Sequence, residues 1–180
     1  MNVSTSVTQP IERRRTVTWS DPNATAVAGR SMAGIDFMRA LRDGAVPPPP
    51  AILLLGIEMT QVDPGRVVMR LAPEEHLYNP LGSVHGGLIA TLLDSVMGCA
   101  VHSTLEAGRG YTTLEIKVNY VRAVSRAGGV VTAEGCVVHA GRQSAVAEAV
   151  LRDEKGRLCA TASTTCLVFD LPKPAVADPR

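Results

Sequence analysis

Apolar residues recur at helical spacing in "SMAGIDFMRALRDG", at Met32, Ile35, Met38, Ala40 and Leu41. The spacing predicts a short amphipathic helix with Ser31 as N-cap and Gly44 as its stop. "PPPP" at 47–50 breaks the pattern and reads as a stiff, extended connector. Beyond it, "LLGIEMTQV" and "RVVMRLA" flank "DPG" at 63–65, with Pro and Gly where a hairpin turn uses them. The loop "PEEHLYNPLGS" leads to a long apolar stretch that begins around Val84–Gly86 and ends near "EAGRG", where Gly108 is a natural stop. A helix this apolar on nearly every side must be covered on most of them. "YTTLEIKVNYVRA" then alternates, with Leu114, Ile116, Val118 and Tyr120 on one side and Thr113, Glu115, Lys117 and Asn119 on the other. "GGVVTAEGCVVHA", "QSAVAEAVLRD" and "RLCATASTTCLVFD" follow, and the short separators "AGR" and "EKG" imply a four-strand antiparallel meander.

The order is helix, hairpin, long helix, meander. It predicts an α+β fold in which a curved antiparallel sheet of about six strands wraps one long central helix. Residues 1–30 are polar, without periodicity, and read as disordered or loosely ordered. Residues 31–50 hold the short helix and the Pro-rich connector, 51–170 the folded domain, and 171–180 a Pro-rich free tail.

Composition narrows the class. A chain of 180 residues with 46% apolar residues suits one domain with a real core. With aromatics at 3%, that core must be aliphatic, which argues weakly against an aryl-stacking pocket. The net charge is 18 − 17 = +1, so nothing draws the chain as a whole to nucleic acid or an anionic membrane. Cys99, Cys136, Cys159 and Cys166 form no CxxC pair and read as reduced, buried small hydrophobes of a cytoplasmic protein. The N-terminal arginines precede no apolar run, so they are no export signal. The stretch nearest a membrane span, Gly86 to Leu105, carries Asp94 and His102 and reads as a buried helix.

The chemistry concentrates in "NPLGSVHGGLIATLLDSVMGCA", residues 79–100. Gly86 and Gly87 leave the backbone N–H groups of the helix start open to a ligand, at the positive end of the helix dipole. Such groups suit an anion or a developing oxyanion. Asp94, in mid-helix, is a carboxylate able to act as nucleophile or as base toward water. Eight residues separate Gly86 from Asp94, roughly 12 Å along an α-helix axis. One reacting group cannot easily touch both in one chain. Two antiparallel copies of the helix across a two-fold axis would bring them together, which implies a homodimer with two shared sites. The plainer alternatives are a glycine pair marking a tight helix entry and a buried carboxylate neutralised by a partner such as His102 or a lysine.

The same stretch resembles the signature of the hotdog-fold acyl-CoA thioesterases, in the PaaI-like (phenylacetic acid degradation type) branch. Asn79, His85, Gly86, Gly87 and Asp94 fall in its register, and the likeness extends over about residues 50–170. The resemblance implies an acyl-CoA thioesterase that yields free acid and coenzyme A. Gly86 would offer its N–H to the thioester oxygen, with Gly87 beside it in substrate binding. Asp94 of the opposite subunit would be nucleophile or general base. Asn79 and His85 would orient the thioester or the water, and Thr113 matches a Ser/Thr position near that water, unless it is an ordinary strand threonine. Arg142, in a Gly-Arg turn between strands, is the candidate for the coenzyme A phosphates, ahead of Arg122 and Arg126. His76, His102 and His139 read as structural or surface residues. No metal or cofactor is expected, coenzyme A being part of the substrate, and dimers are expected to pair into a homotetramer. Two alternatives stay open: a non-catalytic acyl-CoA-binding hotdog protein, and a hotdog enoyl-CoA hydratase or dehydratase.

Overall fold

A computed structural model describes residues 11–172. Three helices come first: α1 (Pro22–Ser31), α2 (Gly34–Arg42) and α3 (Pro50–Leu55). The hairpin β1 (Ile57–Asp63) and β2 (Arg66–Leu71) follows, then the long helix α4 (Gly86–His102). β3 (Arg109–Tyr120), β4 (Val131–Ala140), β5 (Ser144–Arg152) and β6 (Leu158–Asp170) complete the chain. All six strands join one antiparallel sheet in the order β1-β2-β4-β5-β6-β3, and α4 packs against every one of them. This is the expected hotdog architecture.

The helix is held by its apolarity. Leu92, Leu93, Val96, Met97, Ala100 and Val101 are fully buried, against Val67, Met69, Ala133, Ala147 and Leu151 of the sheet. Burying each large side chain is worth about 1.5–3 kcal/mol, so this interface dominates the core. At one point backbone meets backbone. A Cβ on Gly135 of β4 would lie 2.7 Å from the Val96 carbonyl oxygen, so only glycine lets α4 approach that closely.

Several expectations need correction. Part of the segment expected to be disordered is α1, started by the Asp21 side chain accepting from Asn23 N–H (2.9 Å) with Pro22 at the first position. Ser31 ends α1 by donating to the Val27 and Ala28 carbonyls, and α2 is instead capped at Ala33. The proline run does not stay extended: Pro50 opens α3, which Gly56 closes in the left-handed conformation (φ +72°), so β1 starts only at Ile57. α4 stops at His102, before Gly108, because the Ser103 hydroxyl bonds back to the Ala100 carbonyl (2.7 Å) and accepts the Gly65 N–H of the hairpin turn (2.8 Å). The meander holds for β4, β5 and β6, but β3 crosses to the far edge beside β6. The ten residues after β3 make no tight turn; they run past the start of α4, where Val124 accepts the Val84 N–H (2.8 Å). Residues 1–10 of the expected disordered segment and 173–180 of the expected free tail lie outside the described residues.

The alternation in β3 is also broken. Thr113 pairs with Cys166 and Glu115 with Thr165, leaving Leu114 as the extra residue of a β-bulge. A bulge shifts the side-chain phase by one. Tyr111 and Thr113 therefore share the helix-facing side with Ile116, Val118 and Tyr120, while Leu114 turns out to solvent, 60% exposed. Strict alternation would place Thr113 on the opposite side from Ile116.

Candidate active site

The start of α4 is assembled from the loop before it. Asn79 Oδ1 accepts from Leu81 N–H (2.9 Å) and Ser83 N–H (3.3 Å), and Gly82 supplies the left-handed turn residue (φ +77°). His85, the N-cap, donates its N–H to the Leu77 carbonyl (2.8 Å), and its Nδ1 accepts the Gly87 N–H (3.0 Å). A ring nitrogen that accepts carries no proton, so the neutral His85 ring has its proton on Nε2. Leu88 N–H returns to the His85 carbonyl (2.9 Å). Of the first-turn donors, only the Gly86 N–H has no acceptor among the described residues. The two glycines thus differ. Gly86 presents a free donor, whereas Gly87, expected beside it in substrate binding, has its donor taken by His85. A Cβ on Gly87 would meet that ring at 3.2 Å, so glycine makes room for the cap.

Two turns further along α4, Asp94 is half-buried and accepts the Thr113 hydroxyl on Oδ1 at 2.9 Å. The bulge at Leu114 makes this contact possible. The hydroxyl donating to the carboxylate fixes its orientation. Asp94 also lines a cavity of about 430 Å³, to which α2, α3 and β1 contribute Leu41, Arg42, Ile52, Ile57, Glu58 and Met59. Eight residues of helix still separate Gly86 from Asp94, so within one chain the two stay apart.

Comparison with known proteins identifies the family. The family model described as thioesterase superfamily matches residues 81–160, which hold the Gly86–Asp94 helix and most of the sheet. The proofreading thioesterase EntH of Cronobacter turicensis is 32% identical over 115 residues, covering 64% of this chain and 82% of that enzyme. The chain belongs to the thioesterase superfamily. The 1,4-dihydroxy-2-naphthoyl-CoA hydrolase of Listeria monocytogenes is 29% identical over 114 residues, 63% of this chain and 91% of that one. A solved structure from Ralstonia eutropha, described as a phenylacetic acid degradation-related protein, superposes with a TM-score of 0.67 at 27% identity, over 72% of this chain and 98% of that one. This thioesterase is accordingly a PaaI-like hotdog protein and a thioester hydrolase.

The rest of the thioesterase site was less legible. Arg142 sits exposed in the β4–β5 turn, where its carbonyl accepts from Arg109 at the start of β3 (2.6 Å). Arg109 is four strand residues from Thr113, roughly 13 Å, so one chain does not bring Arg142 to Asp94. Arg122 and Arg126 lie in the β3–β4 connection near the start of α4. His76 pairs with Arg15, His139 is exposed, and His102 is packed between Phe37 and Tyr111, where burial lowers its pKa. None of the three meets Asp94.

Three residues of the neighbourhood carried no sequence signal. Tyr120 donates its hydroxyl to the Gly86 carbonyl (2.8 Å) and lays its ring against that glycine. Cys99 lies beside Asp94, burial and that carboxylate pushing its thiol up to about 12, so it stays protonated. Tyr111 lines the cavity behind Asp94. Among the described residues no cluster of three His, Cys, Asp or Glu is placed to hold a metal, and no helix is long and apolar enough to cross a membrane.

Proposed function

We propose that the protein hydrolyses acyl-CoA thioesters at two sites shared between the subunits of a homodimer. The observation that carries this is the pairing of Asp94 with Thr113 beside a largely aliphatic cavity that Asp94 lines, together with the free Gly86 N–H eight residues away. Asp94 Oδ2 takes a proton from a water, whose oxygen attacks the thioester carbon. The carbonyl oxygen becomes an oxyanion facing the Gly86 N–H of the second subunit, at a helix N-terminus. The C–S bond then breaks and the coenzyme A thiolate leaves, taking up the proton. Thr113 favours this water route over direct attack by Asp94, because its oxygen can accept a hydrogen bond from the same water. His85 Nε2–H and the Asn79 amide orient the thioester. No metal or further cofactor takes part.

The free edge of β3, twelve residues long, supports the dimer: two copies of this edge would pair antiparallel and set the α4 helices side by side. Arg142 and Arg109 offer positive charge for coenzyme A phosphates. Unpaired Cys99, Cys136, Cys159 and Cys166 fit a reducing compartment such as the cytoplasm. Pairing of dimers into a tetramer is the further expectation, read by light scattering. The activity test is free-thiol release from short, medium, long and aryl acyl-CoAs, wild type beside Asp94→Asn. Turnover of some member, lost by orders of magnitude in the variant, supports the reading. Binding without turnover would make this a recognition module instead.

A further inference from the structure

β3 ends on Tyr120, and core packing does not account for that residue. It is 51% exposed and stands outside the cluster of buried side chains around α4. What it holds is the start of α4. A Cβ on Gly86 would meet its ring at 3.4 Å, and its hydroxyl bonds the Gly86 carbonyl at 2.8 Å. A carbonyl only accepts, so the phenol is the donor. The same peptide group carries the Gly87 N–H, which donates to His85 Nδ1 (3.0 Å). Tyr120, the Gly86–Gly87 peptide and His85 therefore form one hydrogen-bonded chain in which every donor points the same way. It ends on the ring proton at His85 Nε2. Hydrogen bonds in such a chain polarise and strengthen one another.

The chain meets a local weakness. Helix ends fray, and two glycines in the first turn bring no side chain of their own to hold it. The residues before them are pinned elsewhere: Val84 N–H on the Val124 carbonyl and His85 N–H on the Leu77 carbonyl, both at 2.8 Å. The Gly86–Gly87 peptide itself is bonded, among the described residues, by only two side chains, Tyr120 and His85. Tyr120 is thus what the His85 cap rests on.

We infer that Tyr120 is a positioning residue: through the Gly86–Gly87 peptide it holds the His85 ring in the rotamer and tautomer that offer Nε2–H to the thioester. Its effect on the reaction passes through His85 and not through the substrate. This inference rests on the acyl-CoA hydrolase reading of the site and adds to it the group that keeps His85 in place.

Two measurements test this. The first is free-thiol release from octanoyl-CoA and benzoyl-CoA. Tyr120→Phe removes the hydroxyl and keeps the ring against Gly86, so Tm should stay close to wild type. Its kcat should fall about three- to tenfold, the worth of one neutral hydrogen bond, with KM little changed. His85→Asn keeps a helix cap but has no imidazole to hold. In that background the same substitution should change kcat by less than about twofold. An equal fall in both backgrounds would mean that Tyr120 acts by another route, and overturns the inference. So does a Tyr120→Phe enzyme with wild-type kcat. The second measurement needs no substrate. It is the ring-nitrogen NMR spectrum of protein carrying isotope-labelled histidine, recorded above the ordinary histidine pKa of about 6.5. His85 is identified by the signal lost in His85→Asn. In Tyr120→Phe the His85 Nδ1 resonance should move towards that of an unbonded ring nitrogen; an unmoved resonance overturns the inference. If the wild type leaves both acyl-CoAs intact, the acyl-CoA reading has failed, and the spectrum alone decides whether Tyr120 holds His85. If both are hydrolysed and the Tyr120 and His85 losses simply multiply, only the Tyr120 inference has failed.

Discussion

Replacing Gly86 by proline removes one N–H and little else. Gly86 is the first residue of α4, where a helix tolerates proline because that N–H has no acceptor within the helix. Its φ is not among the positive ones, and the preceding residue, His85, has ψ 131°, the extended conformation that a following proline demands. A Cβ on Gly86 would meet the Tyr120 ring at 3.4 Å, an ordinary contact. The His85 cap on Gly87 and the Tyr120 bond to the Gly86 carbonyl are both untouched. Thermal stability should therefore stay close to wild type. Activity should not: loss of one oxyanion donor costs roughly 10²–10³ in kcat, about 2.7–4 kcal/mol of transition-state stabilisation. Free-thiol release under saturating acyl-CoA, with Tm from a thermal scan, measures both. A Gly86→Pro enzyme with kcat within about threefold of wild type and an intact Tm would refute the assignment of this N–H to the oxyanion.

The other predictions follow the same geometry. Thr113→Val removes a hydroxyl bound to a carboxylate, worth about 1.5–3 kcal/mol, and should lower kcat roughly 10–150-fold; Thr113→Ser should restore it, and in an Asp94→Asn background the valine should cost almost nothing, since the two act as a unit. His85→Ala loses the helix cap and should lower stability by about 0.5–2 kcal/mol, while His85→Asn, a good cap, should recover the Tm without recovering the rate. Gly135→Ala drives a methyl into the Val96 carbonyl and should destabilise by about 1–3 kcal/mol, seen as a Tm drop with normal kcat in the surviving fold. His102 has its pKa lowered by burial from an ordinary 6.5, so the unfolded chain binds a proton more readily than the folded one. Stability is then full above pH 6.5 and falls as the pH drops below it towards the folded-state value. His102→Gln should flatten that part of the Tm–pH curve, and an unchanged slope would remove His102 as its cause.

What the chain reveals before folding is its strongest periodicities. The apolar α4, the "DPG" hairpin and the β4–β6 meander are legible because each is dictated by local pattern and turn chemistry. The Gly86–Asp94 distance is legible too, because it needs only helix geometry. The bulge at Leu114 is not. It is set by how β3 pairs with β6 around α4, and the sequence there alternates cleanly enough to hide it. Yet the bulge is what turns Thr113 toward Asp94. The different fates of Gly86 and Gly87 depend on one rotamer of His85, which no spacing rule supplies. α1 does carry a local signal, an Asp-Pro start at residues 21–22. Tyr111 faces the cavity for reasons of packing alone, from a strand position that pattern cannot distinguish from its neighbours.

The central claim is that each site joins Asp94 of one chain to Gly86 of another. Mixing the two single variants tests it most directly. Gly86→Pro and Asp94→Asn homodimers should each be nearly inactive. Unfolded together and reassociated at random, half the dimers are hybrids, and each hybrid has one site with both groups intact. The account predicts recovery of roughly a quarter of wild-type activity. Activity no greater than the sum of the two variants alone would mean that both groups act within one chain, and would contradict it.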